Sequence, residues 1–169
     1  MEWTGARYAD GPTVEVRTWI DAPPERVWPL VSDIALMPEL SDELRSAEWL
    51  DGATKPALGA RFLGRSRHDA LGEWSTTSYV VECAPARAFA WAVQDVAEPT
   101  ALWRFGLRAE RGGTELTEWV RMGPGSSGLS RAIERMPEKE QKIVFVRLRE
   151  FERNMTATLD RIKRLAERN

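Results

Sequence analysis

The stretch EKEQKIVFVRLREFERNMTATLDRIKRLAE, residues 138–167, contains neither glycine nor proline. Its apolar residues recur at helical spacing and form one stripe: Val144, Leu148, Phe151, Met155, Ile162 and Leu165. The glutamates at its start and the basic residues at its end suit the helix dipole. We therefore predict one amphipathic helix from 138 to about 166, roughly 45 Å long. Because so long a helix cannot bury its stripe alone, we expect it to lie across the concave face of a sheet.

The residues before this helix have the patterns of strands. Residues 13–20 alternate apolar and polar side chains with the two-residue period of a half-buried strand. Pro23 and Pro24 then favour the start of a short helix, and Pro38 ends it or begins a second one. Five or six further strand segments follow between 44 and 122, and their short connections indicate antiparallel neighbours. This order predicts an α+β fold.

Length and composition favour one domain in 169 residues, with residues 1–12 as an N-terminal extension and 13–169 as the domain. The net charge is −2, and the basic residues of the C-terminal part are interleaved with glutamates at helical spacing, so we expect no nucleic-acid partner. No apolar run approaches the roughly 18 residues that would span a bilayer, so we expect no membrane insertion and a cytoplasmic protein. One cysteine and one histidine do not suffice for a disulfide or an ordinary zinc site. We expect no metal and no cofactor.

The sequence GPGSSG at 123–128 matches the dinucleotide-binding pattern G-x-G-x-x-G. A dinucleotide-binding unit needs a parallel strand after the following helix, and no strand pattern follows here. We therefore interpret the segment as a flexible gate or linker.

Several segments together resemble the START-like, or SRPBCC, superfamily, in particular its polyketide cyclase/dehydrase-type branch. They are VEVRTWIDAPPERVWPLVSDIALMPEL (14–40), EWLDG (48–52), GARF (59–62), EWSTTSYVVECAPARAFAW (73–91), GGTELTEW (112–119) and RNMTATLDRIKRLAE (153–167). The resemblance implies a helix-grip fold, in which a curved antiparallel sheet of about seven strands surrounds the long C-terminal helix. Two short helices follow the first strand. It also implies a ligand cavity between sheet and helix.

Alternation places a set of side chains on the face of the sheet that would line this cavity, and the helix adds three more. Rigid aromatic walls with a few polar groups are typical of small-molecule pockets. The alternative is that these aromatic rings only fill the core. The candidate ligand-binding residues are Phe62, Trp74, Thr76, Ser78, Trp91, Trp103, Phe105, Arg147, Phe151 and Met155.

Three residues are candidates for chemistry. Glu118 shares a strand face with apolar residues, and a carboxyl group facing an apolar pocket has a raised pKa that suits a general acid or base. The alternative is that Glu118 lies at a solvent-exposed end of its strand or forms an ion pair with an arginine. Alternation places His68 on the inward face near the end of its strand, which makes it a candidate proton shuttle; the alternative is an exposed residue of the HDALG turn. Arg147 could hold an anion or carbonyl in the cavity, or extend to its rim.

These patterns leave three functions open. The first is binding of a small apolar molecule, such as a lipid, polyketide or aromatic compound, by a monomer or homodimer. The second is a polyketide aromatase/cyclase or dehydratase-type enzyme, in which Glu118 moves the proton and His68 or Arg147 stabilises an oxyanion. The third is a protein that binds a partner protein through the basic face of the helix. The resembling aromatase/cyclases carry an arginine shortly after a Trp-Thr-Ser-like stretch, whereas WSTTS (74–78) has Thr77 and Ser78 there. This departure favours binding.

Overall fold

The chain folds into one seven-stranded antiparallel sheet in a computed structural model that describes residues 1–168; Asn169, the end of the predicted domain, lies outside them. The strands lie in the order β1-β7-β6-β5-β4-β3-β2. Their bounds are β1 Thr13–Ile20, β2 Leu44–Trp49, β3 Arg61–His68, β4 Gly72–Ala84, β5 Ala88–Val93, β6 Ala101–Glu110 and β7 Gly113–Met122. The α-helices are α1 Pro24–Ser32, α2 Met37–Leu40, α3 Gly128–Arg135 and α4 Glu140–Ala166.

This architecture confirms the predicted α+β helix-grip fold. The two short helices follow β1, and the six remaining strands precede the long helix. The predicted start of α4 differs slightly, because residues 137–139 form a 3-10 turn and the α-helix begins at Glu140. A second 3-10 turn occupies residues 8–10.

The helix α4 packs its two halves on different parts of the sheet. Its C-terminal half contributes Leu159 and Ile162 to an apolar cluster with β1, β7 and α1. Its N-terminal half contributes Val144 and Leu148 to a second cluster with β1, β7 and α3. A third cluster, around Phe62, lies between α2 and the strands β3 to β5. Trp91 packs against the first and third clusters, so the space between sheet and helix is bounded by packed side chains on several sides.

The strand β7 lies between β1 and β6 and therefore occupies a fully paired position. Its buried residues alternate along the strand, and Leu116, Glu118, Val120 and Met122 share the face toward α4. Glu118 is opposite Val16 on one side and Phe105 on the other. The sheet thus places a carboxyl group among apolar neighbours.

None of the helices within residues 1–168 combines the length and the apolar character needed to cross a membrane.

Candidate ligand-binding cavity

A cavity of about 530 Å³ lies between the sheet and α4. This volume is in the range of typical small-molecule sites. All ten residues that the sequence indicated as ligand-binding line it, as does Glu118. They come from β3, β4, β5, β6, β7 and α4, so the cavity is built by the sheet and the helix together. Its walls also include Leu30, Val31, Met37 and Leu40 from the short helices.

The aromatic side chains form a connected wall. The rings of Trp91 and Trp103 stack with centroids 6.3 Å apart and planes 14° from parallel. Trp103 meets Phe151 of α4 edge to face at 5.3 Å, and Trp91 meets Phe62 at 6.1 Å. Ring pairs at such distances stabilise each other beyond the burial of their area. This wall presents flat apolar surface in fixed positions.

The carboxyl group of Glu118 lies among these aromatic side chains. Its side chain is 6% exposed, and Oε2 is buried with no hydrogen-bond partner among residues 1–168. Burial raises the pKa of Glu118 to about 8, because the ionised form would lose its hydration without gaining a partner. At neutral pH the group is therefore mostly a protonated carboxylic acid, which both donates and accepts hydrogen bonds.

The mouth of the cavity is framed by exposed lining residues from three connections. Glu73 and Ser75 come from the start of β4, Gln94 follows β5, and Ser126 and Arg131 come from the loop before α3 and from α3 itself. The segment GPGSSG therefore lies at the mouth, where Ser127 caps α3 by accepting a hydrogen bond from the Ser130 N–H at 3.1 Å.

Arg147 lies in the cavity wall but is already paired. Its guanidinium donates to both carboxylate oxygens of Glu43, at 2.6 and 2.7 Å, and lies 4.6 Å from the Phe151 ring centroid. Asn154 Nδ2 donates to the same carboxylate at 3.2 Å. Because Glu43 neutralises Arg147, this arginine is a weaker anchor for an anion than a free guanidinium would be.

His68 is outside the cavity lining, and both of its ring nitrogens are occupied. Nδ1 accepts from the backbone N–H groups of Ala70 and Leu71 at 3.0 and 3.2 Å. The proton of the neutral ring therefore lies on Nε2, which contacts Glu150 of α4. His68 joins the β3–β4 turn to α4 and has no nitrogen left for a molecule in the cavity.

The side chains of Glu43, His68 and Glu150 are close enough together to be considered as metal ligands. Two features oppose a bound cation. Arg147 already holds Glu43 and lies 3.7 Å from Glu150. A metal on Nε2 would require the proton on Nδ1, where two N–H groups already point. The cluster therefore suits an ion-pair connection between α4 and the sheet.

Sequence reasoning missed the polar partners of these residues. Glu43 precedes β2 and lies 104 positions from Arg147, so no periodic pattern joins them. The position of Asn154 could have been predicted, because it follows Arg147 by two helical turns and therefore lies on the same side of α4. Tyr8, in the first twelve residues, also lines the cavity and had no pattern that indicated it.

An antiparallel sheet that encloses an apolar cavity with one long helix defines the helix-grip class of the START-like superfamily. The chain belongs to the family described as "Polyketide cyclase / dehydrase and lipid transport", whose model matches residues 11–167. The resemblance stated from the sequence is thereby confirmed.

Solved structures share the fold. The polyketide-cyclase-like protein Cgl2372 from Corynebacterium glutamicum is 29% identical, with 92% of this chain and 91% of that chain covered and a TM-score of 0.67. MLL2253 from Mesorhizobium loti is 21% identical, with 94% and 98% covered and a TM-score of 0.60. The di-domain aromatase/cyclase BexL of the BE-7585A biosynthetic pathway is 21% identical, with 94% of this chain but 50% of BexL covered and a TM-score of 0.68. No curated protein matches the chain significantly.

Proposed function

We propose that the protein binds a small, largely apolar molecule, of lipid, polyketide or aromatic type, in the cavity between sheet and α4. The observation that carries this proposal is the carboxyl of Glu118, which is buried without a partner at Oε2 among the aromatic rings that line the cavity. A buried polar atom without a partner is costly. A ligand oxygen or hydroxyl beside it would remove that cost.

The charges around the cavity favour a neutral ligand. Glu118 is mostly uncharged at neutral pH, and Arg147 is neutralised by Glu43. The exposed Glu73 and Arg131 lie at the mouth, where water solvates them. An anion buried near Glu118 would lose its hydration without gaining a free cation. We therefore expect a ligand with an apolar body and one or a few hydroxyl or carbonyl groups.

The test is binding of a neutral fluorescent probe, N-phenyl-1-naphthylamine, to the purified protein, together with native mass spectrometry for a ligand that copurifies. Thr76 faces the cavity and Thr77 the opposite side of β4, so Thr76→Trp and its matched control Thr77→Trp add the same ring on opposite faces. We expect Thr76→Trp to block probe binding and Thr77→Trp to preserve it. Equal binding by the two folded variants would contradict the proposal.

A second candidate is an enzyme of polyketide aromatase/cyclase or dehydratase type. The observation that favours it is the burial of the Glu118 carboxyl without a partner, which raises its pKa to about 8 and so allows proton transfer near neutral pH. The family description, and the similarity to the aromatase/cyclase BexL, support the same chemistry.

The enzyme and the binding protein differ in their response to Glu118→Gln. With a linear polyketone as test substrate, Glu118→Gln should lower the turnover rate of an enzyme that uses this carboxyl by a factor of roughly 10² to 10⁴, while the variant still binds the compound. A binding protein should show no turnover, and its affinity for a neutral probe should change by no more than about tenfold. Equal turnover by the unaltered protein and the Glu118→Gln variant would exclude Glu118 as the acid or base.

A further inference from the structure

The N-terminal arm, residues 1–12, lies mostly outside the residues that match the family, which begin at 11. It nevertheless reaches the cavity, because Tyr8 is one of the lining residues. Its backbone continues into β1, which pairs with β7, so the arm ends beside the end of β7 and the loop that follows it. The arm is therefore a feature of this chain placed directly at the mouth.

Contacts with the first turns of α4 hold the arm in place. The Tyr8 N–H and the Arg7 guanidinium both donate to the carboxylate of Glu140, each at 3.1 Å. Gln141 Nε2 donates to the Gly5 carbonyl at 2.9 Å. The Trp3 ring meets the Phe145 ring edge to face at 5.1 Å. The arm is thus anchored by charge-assisted hydrogen bonds and by an aromatic contact.

The side chain of Tyr8 connects this anchored arm to the loop at the mouth. Its hydroxyl donates to the Gly125 carbonyl at 2.5 Å and lies 3.2 Å from Ser127 Oγ. The ring packs on Gly123, where a Cβ atom would come within 3.0 Å of the ring. Gly123 also has a φ of 73°, a conformation that favours glycine. The loop is therefore shaped to receive this ring.

The loop in turn fixes the position of α3. Ser127 both contacts the Tyr8 hydroxyl and caps α3, and Ser126, Leu129 and Arg131 line the cavity. Glu140 of α4 thus accepts from the Tyr8 N–H, the Tyr8 hydroxyl contacts Ser127, and Ser127 caps the N-terminus of α3. Movement of α3 away from the mouth requires that the Tyr8 contacts break.

We propose that the N-terminal arm is a strap that holds α3 over the mouth, with Tyr8 as the positioning residue that sets how fast a ligand enters and leaves. This proposal rests on the proposed binding function for its ligand and on the arm's own contacts for its mechanism. A ligand that has to pass α3 then exchanges only when the strap opens.

The test compares Tyr8→Phe with Tyr79→Phe, since the chain has two tyrosines and Tyr79 does not line the cavity. Tyr8→Phe keeps the ring and removes the hydroxyl contacts with Gly125 and Ser127. We expect amide hydrogen exchange over residues 123–131 to quicken and N-phenyl-1-naphthylamine to dissociate about 2- to 10-fold faster, the effect of one lost hydrogen bond. Tyr79→Phe should match the unaltered protein in both measurements.

A second variant removes the anchor at the other end of the strap. Glu140→Gln weakens the contacts with Tyr8 and Arg7 and should produce the same two changes. Hydrogen exchange needs no ligand, so it tests the strap even if the probe fails to bind and the binding function is refuted. Unchanged exchange over 123–131 in both variants, or faster exchange with an unchanged dissociation rate, would overturn the proposal.

Discussion

Replacing Glu118 by Gln should remove a pH dependence of stability that this carboxyl imposes. Its pKa is about 8 in the folded chain and 4.5 when exposed, so between these values the unfolded state has released the proton that the folded state retains. The folded state then binds more protons, and the free energy of unfolding falls as the pH rises. For these two pKa values the loss between pH 5 and 9 is about 4 kcal/mol. That is a large part of the stability of an ordinary domain.

The measurement is urea unfolding of ligand-free protein at several pH values, followed by tryptophan fluorescence. At each pH we subtract the free energy of unfolding of Glu118→Gln from that of the unaltered protein. The contributions of titratable groups that both proteins share cancel in this difference. The buried amide of Gln, which lacks a partner as the carboxyl did, adds only a constant offset, because it does not titrate. We expect the free energy of unfolding of the unaltered protein, minus that of Glu118→Gln, to fall from pH 5 to about pH 8 and to stay level at higher pH. A difference that stays constant over this range would refute the burial argument for Glu118.

Three further substitutions test the packing around the cavity. Arg147→Met should cost about 3 kcal/mol by leaving the Glu43 carboxylate unpaired, and adding Glu43→Gln should recover part of that loss in a double-mutant cycle by chemical denaturation. Leu159→Ala should cost about 2 to 5 kcal/mol, whereas Val146→Ala on the exposed face of α4 should stay within about 0.5, and equal costs would contradict the packing. Gly113→Ala should lower the melting temperature, because its Cβ would lie 2.2 Å from the Ile20 carbonyl oxygen, and an unchanged melting temperature would show that β1 can shift.

The elements that depend on local periodicity could be predicted from the sequence. The stripe of α4 and the alternation of β7 determine which side chains turn toward the cavity, and this alternation predicts that Glu118 is one of them. A period of two residues in a strand leaves only two faces to choose between. The apolar neighbours of Glu118 on its own strand therefore identified its face, and the structure places it there.

The partners of the polar residues could not be predicted in the same way. The glutamate that neutralises Arg147 is 104 positions away, and the glutamate that contacts His68 is 82 positions away. One contact runs from α4 to the end of β3 and the other from α4 to the segment before β2, so both depend on tertiary packing. His68 shows the consequence. Alternation turned it inward, but the backbone N–H groups of its own turn and Glu150 take both nitrogens.

The different surroundings of Arg147 and Glu118 determine what the cavity can hold. Both side chains are more than nine-tenths buried and both line the cavity. The arginine is matched by a bidentate carboxylate, so its charge is already compensated without a ligand. Glu118 is compensated only by keeping its proton, and its Oε2 still lacks a partner among residues 1–168. A neutral hydroxyl or carbonyl is therefore the ligand group that this site gains most by binding, while an anion would have to displace Glu43 from Arg147 first.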